Sequence, residues 1–139
     1  MEPAYELELS QSERMRRAGI IEDTRKMLMH DFPVEDEDGA SLVLPYQGFH
    51  LQITFSALHP LVMLHFVCVC SRQLLKRDFE RVNRLNAKGV LGGHFLDDAL
   101  NCYVFRLTQW LDAKLEPERF CELLMRGYQE AARGYAELF

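Results

Sequence analysis

The feature that most constrains the fold is a stretch from Leu61 to Cys70 that is apolar on both faces if it forms a strand. His65 is its one polar interruption, and the stretch is too short to cross a bilayer. Apolar side chains on both faces are typical of a strand that is covered on both sides or lies at an interface. We therefore expect this segment to be buried within a sheet or against a partner.

The preceding segment alternates apolar and polar residues with the period of a half-buried strand. Its apolar positions are Phe49, Leu51, Ile53 and Phe55, and its polar positions are His50, Gln52, Thr54 and Ser56. Leu42 to Leu44 predicts a further short strand, with turns at Pro45 to Gly48 and at His59-Pro60. Because these connections are too short for parallel crossovers, we predict an antiparallel three-stranded meander.

A helix is predicted before this meander. Ser10 and Glu13 have the spacing of a capping box, in which the hydroxyl and the carboxylate each accept from a free backbone amide. Apolar residues then recur at helical spacing and predict one buried face: Ala18, Ile21, Met27, Leu28 and Phe32. Pro33 ends the helix, and the acidic segment Glu35 to Gly39 predicts a turn.

A second helix is predicted after the meander, with Ser71 as N-cap, an apolar stripe of Leu75, Phe79, Val82 and Leu85, and Gly89 as a left-handed C-cap. His94 to Leu96 and Cys102 to Leu107 predict two more strands. Pro117 then sits in the first turn of a last helix. The buried face of that helix is predicted to comprise Phe120, Leu124, Tyr128, Ala131, Tyr135 and Leu138.

The predicted order is α-β-β-β-α-β-β-α, an α+β fold in which helices pack on an antiparallel sheet. We expect one domain over residues 1–139, with residues 1–9 flexible. The net charge of −5 argues against binding of nucleic acid or anionic membrane through bulk charge. The acidic first residues lack the pattern of a secretory signal, so we predict a cytoplasmic protein with reduced thiols.

No group of residues predicts an active site, a cofactor or a metal. Cys68 and Cys70 lie in an aliphatic run without zinc-knuckle spacing, so we interpret them as core residues rather than ligands. His94 lies close to Asp97 and Asp98, but no nucleophile accompanies them, and a polar strand end with an acidic turn is the favoured interpretation. We therefore predict that the protein is not an enzyme.

The second predicted helix and its approach are rich in cations, namely Arg72, Lys76, Arg77, Arg81, Arg84 and Lys88. Three interpretations remain open: a solvated face with pairs such as Glu80 with Arg84, a face that meets acidic protein, and a nucleic-acid surface. The last is the least favoured, because Phe79 is the one aromatic residue on that helix and its apolar stripe already uses it.

The sequence also carries more apolar surface than two amphipathic helices can cover on a five-stranded sheet. One interpretation is that loops and Trp110 cover the excess apolar surface. The alternative is an isologous homodimer or a client-binding surface. The residues predicted for that interface are Phe49, Leu51, Ile53, Phe55, Leu75, Phe79 and Val82.

The second half of the chain is similar to a known superfamily. VNRLN followed by GGHFLDD, then CYVFRL and LEPERFCELL, resembles the pattern of the YbjN family, and the element order resembles type III secretion chaperones of the CesT kind. The resemblance implies a non-enzymatic protein-binding module, with two alternatives. One is a homodimeric chaperone or adaptor that holds an extended client segment; the other is a sensory transduction or stress regulator that acts through protein partners.

Overall fold

A computed structural model describes residues 8–38, 41–56 and 59–139 of the chain. Three helices and six strands follow one another along it: α1 Gln11–Asp31, β1 Asp36–Glu37, β2 Ser41–Tyr46, β3 Phe49–Phe55, β4 Leu61–Val69, α2 Lys76–Lys88, β5 Gly93–Asp97, β6 Cys102–Trp110 and α3 Pro117–Leu138. The predicted flexible stretch 1–9 lies outside the described residues except for Glu8 and Leu9.

The strands form one antiparallel sheet in the order β1-β2-β3-β4-β6-β5. The predicted α+β class and antiparallel sheet are confirmed. One strand is added: Asp36–Glu37, predicted as part of a turn, pairs with Val43 and Leu42 as an edge strand. Gly39, the predicted end of that turn, lies outside the described residues.

One core joins the helices to one side of the sheet. The buried apolar side chains of α1, α2 and α3 belong to the same cluster as alternate residues of β2, β3, β4 and β6. Phe66 in β4, Tyr103 and Phe105 in β6, and Phe120 in α3 are at most 1% exposed. The sheet thus has a side that faces the helices and a side that does not.

Side chains account for the helix boundaries, and two predicted caps are corrected. Ser10 Oγ accepts from Glu13 N at 3.1 Å, as predicted, but the Glu13 carboxylate bonds Arg16 and Arg17 instead of the cap amide. Ser71 does not cap α2, because the Asn101 side chain bonds Arg72 O and Leu74 N and the helix begins only at Lys76.

Gly89 does end α2, but not in the predicted left-handed conformation. Its φ of −73° and ψ of 142° are extended. The chain continues to Gly92, where a Cβ atom would lie 2.2 Å from the Arg106 carbonyl oxygen. In the connection between α2 and β5, the close approach to β6 therefore requires glycine at Gly92. None of the helices in the described ranges is long and apolar enough to span a membrane.

Candidate protein-binding surface

The two sides of the sheet differ in burial because successive side chains of a strand point to opposite faces. We call the helix-covered side the core face and the other side the open face. In β3 the exposure alternates between buried Phe49, Leu51, Ile53 and Phe55 and their largely exposed neighbours. The open face consists of Asp36, Ser41, Val43, Pro45, His50, Gln52, Thr54, Leu61, Met63, His65, Val67, Val69, Gly93, Phe95, Asp97, Cys102, Val104, Arg106, Thr108 and Trp110.

An apolar row crosses the open face from β2 to β5. The strand register aligns Pro45, Val67, Val104 and Phe95 in this row, with the exposed His50 of β3 between Pro45 and Val67. Val67 and Val104 are half-buried by their neighbours, and Phe95 is 42% exposed. No described helix covers this row, so its apolar area is available to a partner.

Further apolar side chains lie at both ends of the central strands. Val69 at the end of β4 is 69% exposed, and Trp110 at the end of β6 is 58% exposed. Leu61 pairs with Trp110, and Met63 is the next residue of β4 on the same face. The apolar area of the open face therefore extends along the strands as well as across them.

A polar row runs beside the apolar row through the middle of the sheet. It aligns Gln52, His65 and Arg106 on β3, β4 and β6. His65 is half-buried, and its Nδ1 has no hydrogen-bond partner within the described residues. Burial, and then the charge of Arg106, lower the pKa of His65, so the ring is neutral near pH 7.

Both edges of the sheet are protected against an added strand. At β5, the Asn86 side chain accepts from His94 N at 2.7 Å and donates to His94 O at 2.8 Å, as a neighbouring strand would. At the other edge, β1 consists of the exposed residues Asp36 and Glu37, and Pro45 has no N–H to offer. Charged residues, proline and side-chain cover at edges disfavour strand pairing, so the open face is the better binding surface.

The structure divides the residues predicted for an interface. Phe49, Leu51, Ile53, Phe55 and Val82 are at most 9% exposed in the core. Because the helices already cover these side chains, they have no free surface to offer, and the uncovered side of β3 is the opposite one. Leu75 and Phe79, at 45% and 37% exposed, remain at the surface of the α2 region. A partner contact by these two residues stays a prediction.

The cation-rich α2 region has a structural use that sequence reasoning missed. Arg72 donates to both carboxylate oxygens of Asp78 at 2.7 Å, and Asp78 accepts from Leu75 N at the same distance. Arg72 also lies over the Phe139 ring, and Arg81 donates to the Glu137 carbonyl oxygen. These contacts join the start of α2 to the end of α3. Among the described ion pairs, the predicted pair of Glu80 with Arg84 is not found.

His94 is a core residue rather than a polar strand end. It is 2% exposed, and its Nδ1 lies 2.6 Å from the Tyr103 hydroxyl oxygen. A Cβ atom on Gly134 of α3 would lie 2.5 Å from that hydroxyl, so α3 packs directly on the pair. Asp97 and Asp98 are exposed, and the structure does not bring them to the buried imidazole. The sequence signal for this packing was a glycine on the buried side of an amphipathic helix.

Burial of His94 predicts that acid destabilises the protein. Desolvation lowers the pKa of His94 below its ordinary value of 6.5. Below pH 6.5, His94 therefore binds a proton in the unfolded chain but remains neutral in the folded chain. As the pH falls, the free energy of unfolding then decreases by at most about 1.4 kcal/mol per pH unit. Urea unfolding at several pH values should show this loss in the wild type, and His94→Gln should lack that component. Parallel pH profiles would contradict the assignment.

The four cysteines are free thiols that differ in burial. Cys68 lies on the core face opposite Tyr103, and burial raises the pKa of its thiol to about 12. Cys70 and Cys102 are buried, and Cys121 is exposed on α3. Within the described ranges, no group of three His, Cys, Asp or Glu residues is arranged to hold a metal ion.

Comparisons with known proteins match the chain to one sequence family. Residues 28–139 match the sequence model of the YbjN family, described as "Putative bacterial sensory transduction regulator". No curated protein sequence matches the chain.

Two solved structures share the fold. The crystal structure of YbjN from E. coli, described as a putative transcription regulator, is similar with a TM-score of 0.63 and 15% identity, over 84% of this chain and 89% of that one. A chain of the HopA1-SchA chaperone-effector complex is similar with a TM-score of 0.58 and 15% identity, over 93% of this chain and 99% of that one. At such identities the likeness concerns the fold.

Proposed function

Since this chain belongs to the YbjN family, we propose that it is a non-enzymatic, homodimeric protein-binding module of the cytoplasm that holds an extended client segment. The observation that carries the proposal is the open face, where Val67, Val104 and Phe95 form an apolar row without a covering helix. The fold it shares with a chain of a chaperone-effector complex supports the same conclusion.

Client binding is tested on the open face itself. The tagged protein, purified from its native cell, should retain a stoichiometric client identified by mass spectrometry. Val67→Lys places a charge in the apolar row and should abolish this retention. Val90→Lys is the matched control, because Val90 is 99% exposed outside the sheet. Equal retention by both variants would refute binding at the open face.

The second part of the proposal is a homodimer formed through the exposed apolar residues of the α2 region, Leu75 and Phe79. Phe79→Ser should shift the protein from dimer to monomer in light scattering at micromolar concentration, because it removes the larger of the two apolar side chains. Val90→Ser should leave the dimer intact. A wild-type monomer at that concentration, or a Phe79→Ser dimer of unchanged stability, would place the contact elsewhere or remove it.

A second candidate function is favoured by the family description, which names a sensory transduction regulator. In that case the partner would be a folded protein rather than an extended segment. Hydrogen exchange of the partner in the complex separates the two functions. An extended client should exchange rapidly on either side of the protected segment, whereas a folded regulatory partner should remain protected throughout.

A further inference from the structure

Arg106 stands out on the open face because it is exposed and its charge is not neutralised. It lies in the polar row beside His65, and its guanidinium lies 4.8 Å from the centre of the Phe95 ring. No described carboxylate forms an ion pair with it. Stacking on Phe95 holds the planar group over the sheet, where it can donate to a partner.

The carboxylates of this face stand at its edges. On the strands of the open face, only Asp36 and Asp97 carry carboxylates, and they lie on the outermost strands β1 and β5. Each is engaged locally: Asp36 accepts from Glu37 N at 2.9 Å, and Asp97 accepts from Leu100 N at 3.0 Å. In a protein of net charge −5, the one full charge that the open face carries between its two outermost strands is thus positive.

This charge pattern decides between two occupants of the open face. A second copy docked face to face, with its two-fold axis along the polar row, would bring the Arg106 guanidinium groups of the two copies towards each other. The like charges would be desolvated without a carboxylate between them, which is costly. An acidic partner would instead neutralise Arg106 and supply acceptors for its free donors.

The spacing of the face defines the form of that partner. Same-face residues of a strand are about 6.8 Å apart, which is also the separation of every second side chain in an extended peptide. On β6, Val104 and Thr108 lie one such step on either side of Arg106; on the neighbouring β4, Met63 and Val67 lie one step on either side of His65. An extended segment along β4 would meet the apolar, polar and apolar positions Met63, His65 and Val67 in turn, with Arg106 of β6 beside the middle one.

We propose that the open face is selective for an extended segment in which a carboxylate, bound by Arg106, is flanked two positions away on each side by apolar residues. This inference rests on the proposed function and specifies the client chemistry. Arg106 acts as a specificity residue, and the apolar row supplies affinity that does not depend on charge.

The test uses three fluorescein-labelled dodecapeptides that alternate leucine or valine with serine and differ only at the centre, which is glutamate, glutamine or lysine. Binding is measured by fluorescence anisotropy with the full-length protein. We expect the glutamate peptide to bind about 10-fold more tightly than the glutamine peptide, corresponding to one charge-assisted hydrogen-bonded pair. The lysine peptide should bind most weakly.

Substitution of the arginine separates charge selection from general binding. Arg106→Gln should remove the preference for glutamate while leaving the affinity for the glutamine peptide unchanged, and Arg106→Glu should shift the preference to lysine. Arg77→Gln is the matched control, since Arg77 is an exposed cation on α2. It should leave the glutamate preference intact.

The outcomes distinguish this inference from the function on which it rests. Equal binding of the three peptides by the wild type, or a glutamate preference that survives Arg106→Gln, overturns the selectivity. Failure of the glutamate peptide to bind also overturns it. The proposed function is judged separately, by loss of the native client in Val67→Lys. If Arg106→Gln instead strengthens self-association in light scattering, the open face is a contact between copies and the inference is wrong.

Discussion

Phe66→Ala is expected to lower the free energy of unfolding by about 3–5 kcal/mol, among the largest effects of any single substitution in this protein. Phe66 is fully buried in the middle of β4. The centre of its ring lies 6.1–6.3 Å from the ring centres of Phe49, Tyr46 and Phe105. A Cβ atom on Gly127 of α3 would lie 2.5 Å from the Phe66 ring. The helix therefore packs directly on this ring, and Gly127 has no side chain that could fill the cavity left by Phe66→Ala.

The adjacent residue provides the control for this experiment. Val67 lies on the open face and is half-buried, so Val67→Ala should cost less than about 1.5 kcal/mol. Urea denaturation of both variants measures the difference. Because the two residues are neighbours in one apolar run, a similar loss at both positions would mean that both faces of β4 are covered, and would remove the basis for a free binding surface.

Asp78→Ala is expected to lower the free energy of unfolding by about 3 kcal/mol, since it breaks a buried ion pair and removes a helix cap together. The Asp78 side chain is fully buried, and its bond to Arg72 lowers the pKa of the carboxyl to about 2. Without it, Arg72 loses its counter-charge and Leu75 N loses its acceptor. The same linkage predicts that this stabilisation is present above about pH 4 and is lost as the pH falls towards 2.

The position of the loss within the structure is also predicted. Arg72 and Arg81 hold the last residues of α3, so Asp78→Ala should speed amide exchange at the end of α3 as well as at the start of α2. Glu80→Ala, an exposed position on the same helix, should change stability by less than about 0.5 kcal/mol. Normal protection at the end of α3 in Asp78→Ala would show that the contact between the helices does not depend on the ion pair.

The sequence allowed prediction of the elements whose signals are local. Alternation from Phe49 to Phe55 identified β3, and Pro117 followed by an apolar stripe identified α3. The Ser10 cap of α1 is present as expected. In each case the determining interaction joins residues a few positions apart, so the pattern alone contains the information.

Predictions that depended on distant partners were wrong. Ser71 did not become a cap, because Asn101, thirty positions later, holds that backbone in another conformation. Uncovered apolar surface was predicted on Phe49, Leu51, Ile53 and Phe55, but these side chains are buried, and the exposed apolar side chains of the sheet include Val69, Phe95 and Trp110. Period-two alternation shows that a strand has one buried side, but not that its polar side shares a face with the apolar row of β4.

The apolar run from Leu61 to Cys70 shows what each level decides. Its composition predicted a strand with apolar side chains on both faces that is covered on both sides or lies at an interface. Only the tertiary structure decided that three helices pack on the Phe66 side and leave the Val67 side open, since the sheet register and the course of α1 and α3 depend on contacts between residues far apart in the chain. Local pattern encodes which residues avoid water; long-range packing determines which of them the fold itself can cover.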